Sequence, residues 1–288
     1  MRALGGSLLL TLRELWALRI TQGLLVVATL AWVVLSLALN LDIVEGSLAA
    51  MRIFGIESIP TQGMRDPATG DFIQTAVSVD SFVLGINQFV FGAAYFLGTL
   101  LGLFAAMPLI GGFLEPGRLD LLLSKPLSRI RLLAGHVAGV WLTVITLSTY
   151  LIGSVWLTVS FKTGFWEPRF LLSIPVIVVM FGVMYSVILS LSIMTRNTGL
   201  GLVGAYGLVF VSVIFAAHEQ ILLVLTGFGR SVFLILYHIL PNFAEVVVLV
   251  AQLASGDAVP DLYPLASSLL FGVVIYAISF SWFSRKDF

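Results

Sequence analysis

Between Glu115 and Arg129 the chain sets charges against a block of leucines. Glu115, Gly117, Arg118 and Asp120 lead through Leu119 into Leu121, Leu122 and Leu123, and Ser124, Lys125, Pro126 and Arg129 follow. A short helix over residues 119–123 would turn leucines to one side and Glu115, Arg118 and Asp120 to another, with Pro126 ending it. Lying parallel to a membrane, such a helix is something a soluble partner can grip. The plainer reading is a basic loop whose leucines dip into lipid. Elsewhere the chemistry is sparse. The absence of cysteine excludes disulfides, thiolate metal sites and a cysteine nucleophile. His136, His218 and His238 lack any metal-ligand spacing such as HExxH and read as interfacial polar residues. No G-x-x-x-x-G-K-[ST] occurs, so the chain has no ATP site, and no cofactor or metal is expected on it. Without clustered intramembrane His, Asp or Ser–His pairs, an integral membrane enzyme is the least favoured class.

The elements that would carry the leucine block must lie in lipid. Apolar residues make up 59% of the 288-residue chain and charged residues 10%, where a soluble domain carries about 25% charge. Mean hydropathy is +1.07. So few polar side chains cannot cover a protein of this size in water. The 15 Lys and Arg balance the 15 Asp and Glu, which excludes the basic excess of a nucleic-acid binder. Six windows approach the ~20 apolar residues that cross a bilayer: residues 20–39, 89–110, 137–160, 171–194, 199–217 and 265–283. None holds an Asp, Glu, Lys, Arg or His. The first is read as a retained anchor, because Arg13, Glu14 and Arg19 stand where a signal-peptide cleavage site would lie.

The expected fold is therefore an all-α integral membrane protein of six transmembrane helices, with residues 1–288 forming one membrane domain. Residues 1–19 mix Leu8, Leu12, Leu15 and Trp16 with Arg13, Glu14 and Arg19, as an interfacial amphipathic helix does. Residues 40–88 are the longest polar stretch, with turn chemistry at Asp66-Pro67-Ala68-Thr69-Gly70. Residues 111–136 form the short basic loop. Residues 218–264 are too apolar for a free loop, yet Gly227, Gly229, Arg230, Pro241, Asn242 and Glu245 interrupt them. They read as two short helices at or dipping into the interface; a crossing pair would give eight spans. Trp16, Trp32, Trp141, Trp156, Trp166 and Trp282 are placed mostly as an aromatic belt. Pro108 and Pro175 are placed to kink spans. The Gly98–Gly102 and Gly135–Gly139 spacings suit helix contacts or ordinary packing.

Orientation follows the Lys and Arg distribution. With the N-terminus inside, Arg2, Arg13, Arg19, Arg118, Lys125, Arg129, Arg131, Arg196, Arg285 and Lys286 are inside. Arg52, Arg65, Lys162, Arg169 and Arg230 are outside, a ratio of ten to five that selects N-in, C-in.

The loop pattern carries a resemblance. Glu115, Gly117, Leu121-Leu122-Leu123, Ser124, Pro126, Arg129 and Gly135 resemble the cytoplasmic loop of type-2 ABC transporter permeases, most of all those serving nitrous-oxide-reductase maturation. His136 stands where that family usually has Lys, and Arg118 where Thr is common. Leu12-Arg13-Glu14-Leu15 resembles the family's elbow helix, Leu240-Pro241-Asn242 a motif of its external re-entrant region, and the ending Arg285-Lys286-Asp287-Phe288 its basic-then-Asp tail.

The resemblance implies that Glu115, Gly117, Arg118, Asp120, Leu121, Leu122, Leu123, Ser124, Pro126 and Arg129 form a coupling helix docked into an ATPase. It further implies a second permease subunit, two ATPase subunits holding ATP and Mg, and a prokaryotic cytoplasmic membrane. Spans without ionisable groups agree with it, since ion-coupled carriers place charge in mid-membrane. An ATP-driven exporter is the leading function. The alternative is a scaffold or force-transmitting subunit of an ABC-type complex for metalloenzyme maturation or envelope assembly. The orientation is tested by cysteine labelling: Ser128→Cys is labelled from the cytosol only, and Thr69→Cys from the outside only. Labelling of both from one face overturns the assignment.

Overall fold

A computed structural model describes residues 19–44, 47–53, 56–58, 61–65, 72–76, 78–115, 117, 128–255 and 262–285. The expected interfacial helix before Arg19, the leucine block within residues 118–127 and the tail after Arg285 lie outside the described residues. The first apolar window forms α1 (Arg19–Ala38), whose 20 residues reach about 30 Å at 1.5 Å per residue.

The segment that follows adds short strands to the helical fold. Among residues 39–76, β1 (Leu39–Val44), β2 (Ser47–Ile53) and β3 (Ile56–Ser58) form one antiparallel sheet in that order. Strands β4 (Thr61–Arg65) and β5 (Phe72–Ala76) pair separately, Arg65 opposite Phe72. Leu39, Leu41 and Ile43 alternate with Asn40 and Asp42 in β1, a period of two that overall polarity conceals. The turn-rich residues 66–70 fall between the two paired strands.

Five helices among the described residues are long and apolar enough to cross a membrane. They are α2 (Val79–Phe113), α3 (Arg129–Thr163), the run Pro168–Thr195 (a 3-10 turn at Pro168–Leu172 continuing into α4, Ser173–Thr195), α5 (Thr198–Phe215) and α9 (Tyr263–Arg285). Before α9 lie α6 (His218–Val224), α7 (Gly227–Ile239) and α8 (Glu245–Ser255). The expected two short helices are thus three, and at 7, 13 and 11 residues each is shorter than the roughly 20 a crossing needs.

Local chemistry sets the ends. Ser78 caps α2 by accepting from the Ser81 N–H, and Asp80 adds a favourable charge in its first turn. Helix α3 stops at Gly164, whose φ of 73° gives the left-handed conformation that suits glycine. Between α4 and α5 that conformation falls to Arg196, φ 55°. Asn197 then caps α5 by accepting from the Gly199 and Leu200 N–H groups. Pro108 lies inside the unbroken α2, whereas Pro175 sits in the first turn of α4, where proline displaces no helical hydrogen bond.

Helix α4 is the axis of the bundle. Its membrane-length stretch is 89% buried, against 17–39% for the other four, and it packs against α2, α3, α5 and α9. Missing side chains permit this. A Cβ on Gly201 of α5 would lie 2.7 Å from the Ile188 carbonyl oxygen of α4, and one on Gly272 of α9 would lie 2.9 Å from Val183 Cγ2. On α4 itself, Gly182 makes room for the Trp141 indole. That indole donates to Tyr276 Oη (3.1 Å), which donates to the Gly182 carbonyl (3.0 Å), so one relay ties α3, α9 and α4. Trp141 is thereby an interhelical tie, as is Trp32, which donates to Thr158 Oγ1 on α3 (2.6 Å). Trp156 and Trp166 do meet near the far end of α3, with ring centres 5.3 Å apart.

Gly201→Val is expected to lower stability by about 1–3 kcal/mol, because the intruding side chain meets backbone. Gly207→Val on the same helix, with open space at its Cβ, is expected to melt close to wild type. Thermal unfolding of the purified protein compares the two.

Candidate functional site

The leucine block springs from a packed seat made by four helix ends. Phe113 closes α2, Leu132 and Leu133 open α3, Leu189 and Ile193 end α4, and Phe283 ends α9; these six side chains form one buried cluster. His136, a turn further along α3, is 3% exposed. Its ring lies 4.7 Å from that of Phe113 at an interplanar angle of 22°, and Phe113 lies 5.8 Å from Phe283. The reading of His136 as an interfacial polar residue is therefore corrected: it is a core ring. Its neighbours Gly135 and Gly139 are buried on α3 as well, so that glycine pair packs inward.

The described residues of the loop are mostly exposed. Glu115, Gly117 and Ser128 are exposed, and Arg129 is half-buried. Ser128 caps α3, accepting from the Arg131 N–H at 3.4 Å. Arg129 and Arg131 then occupy the first turn of α3, with no acidic residue there. Cations at a helix N-terminus oppose the helix dipole by roughly 0.3–1 kcal/mol each. Helix stability thus does not account for them; the membrane charge rule or an acidic partner does. Of the ten candidate coupling residues, Glu115, Gly117 and Arg129 are placed at the two edges of the seat. Arg118, Asp120, Leu121, Leu122, Leu123, Ser124 and Pro126 fall outside the described residues.

A second polar constellation stands at the other end of the bundle, among α6, α7 and α8. Glu245 lies 3.0 Å from His218 Nδ1 and accepts from Tyr237 Oη at 2.9 Å. His218 and Tyr237 are also ring neighbours, 4.8 Å apart. Nearby, Leu240-Pro241-Asn242 delivers Phe243 into the bundle. Tyr95 Oη of α2 donates to the Phe243 carbonyl (2.7 Å), the two rings stack at 4.4 Å, and Ser268 of α9 accepts from the Asn242 N–H (2.9 Å). Sequence reasoning flagged the Leu-Pro-Asn run but missed Glu245 with its His and Tyr partners. Their separations of 27 and 8 residues give no periodic signal, since two turns between short helices bring them together.

Long apolar helices around a buried axis define a multi-pass helical membrane protein. The chain belongs to the ABC-2 family, because residues 13–288 match the family described as ABC-2 family transporter protein. It is accordingly a membrane permease subunit of an ABC transporter. No curated protein matches the chain. Permeases of this family generally work with an ABC ATPase, which turns attention to the loop seat.

Phe113→Ala empties the centre of the seat and is expected to cost about 3–5 kcal/mol, read as a lowered unfolding temperature. Ile130→Ala, at a site 51% exposed, is expected to change it little. Equal effects would mean that the seat is not a packed unit.

Proposed function

We propose that the chain is the permease of an ATP-driven exporter, and that the loop between α2 and α3 is its coupling element. The observation that carries this reading is the continuity between the loop's two edges and the core. Force on residues 114–128 passes directly to Phe113 and Leu133, and through their cluster to α4 and α9. Helices α2 and α3 are each 35 residues long, about 52 Å at 1.5 Å per residue. Each is therefore a single lever from the seat to the opposite face.

The full arrangement is six spans, N-in and C-in, with α1 as the first. Two permease copies, or a copy and a homologue, face two ATPases that hold ATP and Mg in a prokaryotic cytoplasmic membrane. Residues 218–264 form an external re-entrant region. Supporting this, Phe243 is fully buried beside Tyr95, about 9 Å inside the apolar window that opens at Phe89. The exposed apolar side chains Leu223, Val224 and Phe228 (81–85% exposed) suit contact with lipid. The loop pattern favours the kind of permease that serves nitrous-oxide-reductase maturation. His136 in place of Lys suits a seat in which a stacked ring, and not an ammonium group, meets Phe113.

In the coupling reading the leucines supply apolar contact, roughly 1.5–3 kcal/mol for each buried side chain, while Arg129 sets orientation. Leu122→Asp loses that contact and forces a carboxylate into the groove. It is expected to reduce ATPase co-purification and transport-linked ATP hydrolysis sharply, with membrane insertion unchanged; Arg129→Ala is expected to weaken both. Thr69→Asp serves as the outer-loop control. Wild-type coupling in both inner-loop variants would remove the assignment.

A further inference from the structure

We propose that a groove between α3 and α9 holds one acyl chain of an anionic phospholipid, with Arg131 binding the lipid phosphate. Helix α3 lines the groove from Ala134 to Ile145, and Phe280 of α9 lines its other side. Its volume is about 550 Å³. Ala134 and Ala138, one turn apart, leave the hollow, and the larger Trp141 and Phe280 side chains bound it. The 3.1 Å hydrogen bond from Trp141 to Tyr276 joins the two helices beside it, so the fold itself fixes the hollow.

Its length identifies a lipid chain. Residues 134–145 span about 16 Å at 1.5 Å per residue, and Ile145 lies near the middle of the 35-residue α3. The groove therefore runs from the loop end to mid-bundle, the depth of one leaflet of a hydrocarbon core about 30 Å thick. A helix of a second copy would cross the whole thickness, whereas an acyl chain ends at the midplane. The Trp141 indole carries the one polar group among the described lining side chains, and it already donates to Tyr276. A hydrocarbon chain leaves no buried polar group unpaired there.

Charge identifies the headgroup. Arg131 is exposed and precedes Ala134 by three residues, about 4.5 Å. Ala138, Leu142 and Ile145 follow it at spacings that return to one helix face, so Arg131 heads the groove. Among the described side chains, the loop end of the bundle carries Arg129, Arg131, Arg196 and Arg285 against Glu115. The opposite end carries Lys162, Arg169 and Arg230 against Asp80, Glu167, Glu219 and Glu245. A net negative headgroup is thus favoured at the groove's mouth, whereas a zwitterionic one brings a further cation to the same place. A guanidinium meets phosphate oxygens as a two-pronged fork. The first turn of α3, which holds no acidic residue, adds its positive dipole end. A lipid phosphate also accounts for cations at that turn, which helix stability does not.

The test uses the purified full-length protein in phosphatidylcholine nanodiscs doped with one of two probes, phosphatidylglycerol or phosphatidylcholine. Each probe carries the same photoreactive, alkyne-tagged acyl chain, and both leaflets hold it, so the result does not depend on the orientation proposed above. The phosphatidylglycerol probe is expected to label peptides of α3 and α9 saturably, in competition with unlabelled phosphatidylglycerol. It is expected to bind about five-fold more tightly than the phosphatidylcholine probe, the worth of one arginine near an anionic headgroup. Arg131→Gln, at an exposed position, is expected to remove that preference and leave phosphatidylcholine labelling unchanged, and Arg131→Lys to retain most of it. Ala138→Leu is expected to weaken both probes about ten-fold by filling the hollow. An anionic preference that survives Arg131→Gln would overturn the proposal, as would equal labelling of the exposed α5 residues Val203 and Phe210. If Arg131→Gln lowers ATPase co-purification while the probe preference stays intact, Arg131 belongs to the ATPase contact and the proposal fails. It fails equally if Ala138→Leu splits a dimer while lowering the labelling, because a second copy of the chain then fills the groove.

Discussion

Everything in this bundle depends on burying one helix on nearly all sides. Lipid tails are as apolar as leucine, so hydrophobicity alone does not press helices together in a bilayer; close packing and interhelical hydrogen bonds must do it. Helix α4 supplies a surface that others can approach because Gly201 and Gly272 bring neighbouring helices against its Ile188 and Val183. The Trp141–Tyr276–Gly182 relay adds direction to that contact. With the axis fixed, α2 and α3 stand along its flanks, and the ends of all four helices meet in the seat beneath the basic loop.

That arrangement divides the molecule into two ends with different packing. At the loop end the packing is dry: Phe113, Leu133, Ile193 and Phe283 around a stacked His136. At the other end it is polar and aromatic, with Glu245 held by His218 and Tyr237, and Asn242 and Phe243 tied to α9 and α2. Close-packed side chains leave such a seat little slack. The polar end joins short helices whose outer side chains are exposed, a region held by specific bonds in place of a deep core.

Much of this was legible in the sequence, for a simple reason. A bilayer imposes a length and a polarity on each crossing, so the windows at residues 89–110, 137–160, 171–194, 199–217 and 265–283 each found a helix of membrane length. The helices run past the windows because Asp80, Arg129 and Lys162 continue the helix into the polar layer, and a hydropathy limit stops at the first charge. The strands in residues 39–76 were hidden by the same habit of reading polarity before alternation. Within the candidate site, the loop pattern singled out Glu115, Gly117 and Arg129 as candidates, but not the seat beside them. Phe113, His136 and Phe283 meet through tertiary packing, and nothing in their spacing announces a ring stack.

The short link between α4 and α5 has a mechanical consequence. Arg196 in the left-handed conformation and the Asn197 cap leave almost no free chain between the two helices, and Gly201 seats α5 against the α4 backbone one turn later. Axial sliding between them would have to break the cap and drag that contact across Ile188. The two helices are therefore held in register with one another. The short link thus fixes α4 against α5, while the seat's side chains hold α2 and α3 to the same axis at the loop end.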